Sequence, residues 1–427
     1  MMESLRKMWK IKEIRNKIIF TFVMLVIYRL VSAIPAPGVD FVALSNQRQS
    51  MQDNSIFQLI NMMTGGSFTQ MSLMAMGITP YINASIIMQL LTIALPVLER
   101  MSQEEDGREK INRITRYVTV GLAALQAIGL ASTQGVIKPG WGWLVGISMA
   151  GGSALAMWIG EQITKKGIGN GVSLLIFVGI VSNIFTAIIN AFAMGAVSST
   201  TSRWIGVAVL LVTVVFITVV VTFVELAERR IPLQISKQVK GRRVYGGQST
   251  HMSLKVVSVG VLPLIFAYSF LSFPGTIAAM INADSGFAKW CQTNLNQTSW
   301  LYMVLSALLI IAFTFFYSSI SFDPKKQAEQ LQQQGAVIPG QRGKNVRQYL
   351  QNTTNRLNLF AALFLAILAS VTTLLTAVLL QNSGIQLGFA ASSILIAVSV
   401  SIETIRTLQG EMSIRGIDTD VEKMGFM

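Results

Sequence analysis

Between Asp53 and Glu99 the chain runs for 45 residues without a charged side chain. A helix of about 20 mostly apolar residues crosses the hydrocarbon core of a bilayer, so this run alone has length for two crossings. Gaps between charges mark ten candidate spans: 18–34, 73–98, 117–134, 141–160, 171–194, 204–224, 256–281, 300–321, 357–380 and 388–405. Composition agrees, with 52% apolar and only 13% charged residues and a mean hydropathy of +0.54. The sequence predicts an all-α polytopic membrane protein. Runs rich in β-branched residues, such as VAVLLVTVVFITVVV at 207–221, would favour strands in water. In lipid each segment must satisfy its own backbone, so they are read as helices. One cysteine, Cys291, rules out an intramolecular disulfide. Stability must then come from helix packing.

The first apolar run follows six basic residues and leads into PAPGVD, without a small-residue cleavage pattern. It is read as a retained span. Lys and Arg divide unevenly between alternate loops. One set, including both termini, holds 29 of the 34, the other holds Arg48, Lys138, Arg203 and Lys289, and Arg29 lies inside the first span. By the positive-inside rule both termini are cytoplasmic. The loop before the 54–98 run is then external and the loop after it cytoplasmic, which demands an odd number of crossings. The surplus, NSIFQLINMMTGGSFTQ (54–70), is read as a re-entrant segment ending at Gly65-Gly66, beside a cavity that shelters its non-helical backbone. The alternative is an external helix lying on lipid.

Ten spans divide into halves of five, 1–203 and 204–427, and an odd number per half inverts the second relative to the first. GITPYI (77–82) and GVLPLI (260–265) hold corresponding places in the two halves. Inverted repeats place their working site at the mutual interface near mid-bilayer, beside Gly/Pro-interrupted segments. Pro80 and Pro263 are expected to bend or unwind their helices. The plainer explanation is that Gly and Pro are frequent in membrane helices.

Ionisable groups are scarce inside the spans. Arg29 is the exception, expected to snorkel or to pair with a carbonyl; Glu161, Glu225 and Glu403 fall near cytoplasmic ends. There is no HExxH, no intramembrane aspartate pair and no GxxxxGK[ST], and the only histidine, His251, lies in a cytoplasmic segment. No catalytic, metal or cofactor site is expected. What remains is an apolar constriction of the kind that gates by dewetting, with a secondary transporter of a small apolar or zwitterionic solute as the rival. The basic segments 226–255 and 321–350 fit attraction to anionic lipid or docking of a large acidic partner.

The order MTGGSFTQMSLMAMGITPYINASIIMQLL, MWIGEQITKKGIGNGVSLLIFVGIVSNI, AERRIPLQISKQVKGRRVYGGQSTHMSLKV and GAVIPGQRGKN resembles the SecY/Sec61-alpha family of protein-conducting channels over essentially the whole chain. The resemblance implies two inverted five-helix halves around an hourglass pore, closed by a ring that matches Ile78, Ile82, Ile176, Ile265 and Ile396. It implies a plug within 55–70, carried by Ile56, Phe57, Leu59, Ile60, Gly65 and Gly66. A lateral gate would open between the second and seventh spans. Arg229, Arg230, Lys240, Arg242, Arg243 and Arg342 would dock the motor ATPase SecA or a translating ribosome. The implied partners also include the small subunits SecE and SecG, signal peptides and unfolded precursors, in a bacterial inner membrane. Two departures stand out: the usual glycine-rich entry to the tenth span reads FAASSILI, and no proline follows Arg342.

Overall fold

Each of the ten apolar segments falls on a helix in the computed structural model, which describes residues 11–40, 42–45, 61, 64–133, 137–138, 140–197, 201–235, 238–240, 243–245, 249–260, 262–281, 285–295, 299–340, 344–383 and 391–414. The first half contains α1 (Lys12–Ser32), α2 (Thr79–Ala94), α3 (Pro96–Gln103), α4 (Glu105–Thr133), α5 (Gly142–Lys166) and α6 (Gly171–Val197). After α7 (Thr201–Leu226) come β1 (Glu228–Ile235), β2 (Gln238–Lys240), β3 (Arg243–Tyr245) and β4 (Ser249–Lys255). The remainder is α8 (Leu262–Ile281), α9 (Gly286–Asn294), α10 (Trp300–Ser321), α11 (Pro324–Gln333), β5 (Ala336–Val337), α12 (Lys344–Ser383) and α13 (Ala391–Ile414). Among the described residues, helical stretches at Gly142–Lys166, Trp300–Gln333 and Asn345–Val371 are by themselves long and apolar enough to cross a membrane, and the bent pair α2 and α3 makes a fourth. Large apolar side chains on the outer faces stay exposed, among them Phe22, Phe216, Leu308, Ile367 and Phe223, the last at 76%. Exposure on this scale marks a surface that faces something other than water.

The two proline-bearing motifs start helices instead of kinking them. Pro80 sits in the first turn of α2 and Pro263 is the second residue of α8. There a missing backbone N–H leaves nothing unpaired that was not already free. Gly77 and Gly260 precede them at φ +53° and +62°, a region glycine enters without steric penalty, so both chains turn sharply just before the helix. The proline inside α8 is Pro274. The expected span 73–98 is also shorter than its charge-free run. Residues 64–78 form turns, and α2 stops at Leu95, which is extended at φ −108° and ψ 113° before Pro96. A residue preceding proline is pushed out of the helical region, and α3 departs at 106° to α2.

The turn segment is deeply buried: Thr64, Ser67, Phe68, Met71, Ser72, Met74 and Ala75 are each at most 2% exposed. Phe68, Met71, Ala75 and Met76 pack with Val145 and Met149 of α5 and with Ala127 of α4. Its non-helical backbone is sheltered by protein, as the re-entrant reading requires. Ile56, Phe57, Leu59 and Ile60 lie outside the described residues.

The two basic segments fold into a small layer of their own. β1 pairs antiparallel with β4, placing Arg230 opposite Ser253 and Pro232 opposite His251, and with β5. Ile231, Leu233, Leu254, Leu331, Ile338 and Leu350 form its core, joining the sheet to α11 and the start of α12. Asp323 caps α11 by accepting from the backbone N–H groups of Lys325 at 2.9 Å and Lys326 at 3.4 Å, an arrangement that satisfies two end donors.

Cys291 on α9 is fully buried, and burial pushes its thiol above the usual thiol range. Less thiolate is therefore present at neutral pH, and the thiolate is the reactive form. In folded protein a maleimide at pH 7 should label Cys291 at least ~10-fold more slowly than a free thiol, with the rate rising on alkalinisation. Labelling at the free-thiol rate would contradict this placement.

Candidate functional site

Four helices contribute to one buried apolar cluster. Ile78 is the residue just before α2 and Ile82 lies one turn further in; Ile176 comes from α6, Ile265 from α8 and Ile396 from α13. All five are between 2% and 4% exposed and belong to one continuous apolar cluster, with Met74, Ile180, Leu264 and Leu395 among their neighbours. The helix starts at Pro80 and Pro263 set the depth of Ile82 and Ile265 on α2 and α8. None of the side chains in this cluster offers a site for an ion to exchange its hydration, apart from the hydroxyls of Tyr28, Tyr268, Tyr302 and Tyr317.

Ile82, Ile176 and Ile265 are among the residues lining a cavity of about 710 Å3. Its lining is mixed: Ser85, Asn112, Thr115, Thr164, Asn170 and Ser173 stand beside Val172, Leu262 and Phe266. Two ion pairs stand in the same lining: Arg116 Nε to Glu161 Oε1 at 2.6 Å and Lys17 Nζ to Glu411 Oε1 at 2.6 Å. Polar side chains, two ion pairs and the buried isoleucines thus line one cavity. The sequence reading missed these lining residues. Glu161 in GEQIT was visible as a polar interruption at a span end, yet its partner Arg116 lies in α4, 45 positions away; Asn170 in GIGNG accepts locally from the backbone N–H groups of Val172 and Ser173.

Alongside this cavity α8 packs against both α2 and α4. The Tyr317 hydroxyl on α10 donates to Gln89 Oε1 on α2, and Gln89 Nε2 donates in turn to Ser85 at 3.1 Å. Phe266 of α8 lies 5.0 Å from the Tyr317 ring and 6.1 Å from Phe313. A polar bond lined by aromatic contacts therefore joins α2 to the α8 and α10 pair. Gly65 and Gly66 adopt φ +69° and +89° in the buried turn.

Of the expected docking residues, Arg229 and Arg230 are exposed on β1, and Lys240 pairs with Arg243 across the β2–β3 ladder. Arg242 and Arg342 lie outside the described residues. Glu225, at the end of α7, accepts from Ser399 Oγ, and its backbone carbonyl accepts from Arg406 at 3.3 Å. No group of three or more metal-binding side chains occurs among the described residues.

The comparisons agree with this geometry. A family model for SecY matches residues 72–405. The chain is 38% identical to the protein translocase subunit SecY of Corynebacterium glutamicum, covering 96% of this chain and 98% of that one. It is 39% identical to that of Rickettsia typhi over 92% of each chain. Its fold is similar to a structure described as a protein conducting channel, with TM-score 0.68 and 20% identity over 93% and 92% of the two chains. It is also similar to Sec61 in a canine ribosome-channel complex, with TM-score 0.65 and 18% identity over 93% and 92%. The fold is that of an all-α polytopic membrane protein similar to solved protein-conducting channels. The chain belongs to the SecY family of protein translocase subunits.

Proposed function

We propose that this chain passes unfolded secretory polypeptides through the isoleucine waist and releases hydrophobic segments sideways into lipid between α2 and α8. The observation that carries the reading is a cavity holding several polar side chains whose lining reaches Ile82, Ile176 and Ile265 of the buried apolar cluster. Bulky uncharged side chains seal around chains of varied sequence without holding any of them tightly. The turn at Gly65-Gly66 ends a plug, residues 55–70, that closes the external side at rest. Halves 1–203 and 204–427 act as inverted units, and both termini face the cytoplasm of a bacterial inner membrane. Parting of α2 from α8 and α10 breaks the Tyr317–Gln89 bond, which makes that bond part of the lateral gate.

Driving force comes from SecA or a translating ribosome, received by Arg229, Arg230, Lys240, Arg242, Arg243 and Arg342, and anionic lipids surround the same basic layer. SecE and SecG complete the membrane assembly. A groove of 350 Å3 between α6, α7 and α13, lined by Phe177, Ile184, Val214, Ile394 and Val398, has the apolar character that a partner's membrane helix requires.

A photoreactive residue at Ile82, in membranes holding a stalled secretory precursor and SecA, tests the reading. Adducts to the precursor that need SecA and ATP are the expected result. Absence of adducts there and equally from Ile78, Ile176, Ile265 and Ile396 would remove the pore assignment.

A further inference from the structure

The sequence leaves one charge unexplained, Arg29 inside the first apolar segment. In the fold it occupies the last turn of α1, where a cation is favoured by the helix carbonyls. Its guanidinium reaches away from its own helix. Nη1 donates to the Gly65 carbonyl at 3.2 Å and Nη2 donates to Ser182 Oγ on α6. One planar fork thus joins α1, α6 and the buried turn, which a single-point lysine donor cannot do in the same geometry.

The turn is organised around the same place. The Asn61 carbonyl accepts from Gly66 N–H at 3.0 Å and from Asn183 Nδ2, on α6, at 3.3 Å. Asn61 Oδ1 accepts from Thr69 N–H at 3.1 Å and from Thr69 Oγ1 at 3.2 Å. Gly65 lies flat on α6: a Cβ built there would fall 2.7 Å from Gly179 Cα and 2.7 Å from Arg29 Nη1. Glycine is required at this position by both its φ of +69° and the lack of room.

We propose that Arg29 is a positioning residue that latches the buried turn at residues 64–69 against α6 in the shut channel. This rests on the plug reading given above. Bonds from a cation to buried acceptors are strong while water is excluded. Once the segment leaves, the funnel fills with water, which solvates the guanidinium and lowers the penalty for losing those partners. The charge therefore makes a closure that holds when dry and releases when wetted. An apolar side chain would gain nothing from the water and would lack the two directed bonds.

The test uses the purified full assembly in liposomes, with three point variants and one deletion beside the parent. Arg29→Met should raise resting ion permeability roughly tenfold, and Arg29→Lys should restore part of the seal. Gly65→Ala, which displaces the turn while keeping the guanidinium, should leak comparably. Deletion of 56–60 tests the plug itself. A local readout accompanies permeability: a cysteine at Ser67, buried in the shut state, should become open to a membrane-impermeant thiol reagent in Arg29→Met while native Cys291 stays protected. If Arg29→Met and Gly65→Ala keep parental permeability and Ser67→Cys stays protected while the deletion leaks, the latch is wrong and the plug stands. If the deletion itself does not leak, the plug reading falls and the latch with it. Exposure of Cys291 together with Ser67→Cys would reduce Arg29 to a general packing residue and overturn the proposal.

Discussion

Replacing Ile82 and Ile265 together by glycine should raise the resting ion conductance of the reconstituted channel by an order of magnitude or more. Both side chains are 3% exposed, and both line the same cavity. Truncating a packed isoleucine removes contacts worth about 2–5 kcal/mol, and every ~1.4 kcal/mol is tenfold in an equilibrium. Even a small share of that loss, appearing in the balance between dry and wet states of the waist, is enough for a tenfold rise. Glycine also costs a helix about 1 kcal/mol per site relative to alanine, so Ile82→Leu with Ile265→Leu is the control. It keeps volume and helix propensity and should conduct like the parent. Unchanged conductance in the glycine pair would count against these two residues as the seal, whatever the leucine pair did.

The extent to which sequence exposes this structure follows from what each signal depends on. Span positions follow from hydropathy, because lipid forbids unpaired backbone whatever the tertiary arrangement; all ten segments accordingly fall on helices. Helix ends depend on local backbone geometry, which a count of charge-free residues ignores. Leu95-Pro96 and Gly77 carried that information, and a reading for caps and pre-proline residues would have ended the second helix where it ends. Pro80 and Pro263 were visible but misjudged, since a proline in the first turn and one in mid-helix look alike when the helix start is unknown. Segments read as cytoplasmic loops proved to contain a sheet and a small core, because their alternation, ERRIPLQI with Ile231 and Leu233 facing inward, is short and interrupted by charge. The proposed isoleucine ring was assigned only by family resemblance. Isoleucine is common throughout such a chain, and nothing in spacing alone distinguishes Ile396 from its neighbours. Arg29 was conspicuous as a lone charge, and a carbonyl was rightly among its expected partners. Which carbonyl, 36 positions away, depends on the fold.

Reversing charge at Arg242 and Arg243, both to glutamate, should reduce SecA-driven translocation by more than tenfold while leaving the folded channel intact. The second half of that expectation comes from the cytoplasmic layer. Its buried core is built from β1, β4, α11, the Ile338 segment and the start of α12, whereas Arg243 belongs to the separate two-stranded β2–β3 sheet. Charge changes there should not disturb the residues that hold the layer together. The first half follows from the chemistry of close charge pairs across an interface, whose coupling is about 1.5–7 kcal/mol; reversal replaces attraction with repulsion at two adjacent sites. Attraction of the same arginines to anionic lipid predicts something different. Each basic residue near a charged bilayer contributes about 1 kcal/mol, and that loss should be made up by raising the anionic lipid content of the vesicles. Docking to a partner should not be rescued that way, but should recover with complementary lysines on the partner. Translocation at the parental rate, with melting temperature and assembly unchanged, would remove these two arginines from the docking surface and leave Arg229 and Arg230, exposed on β1, as the residues to reverse next.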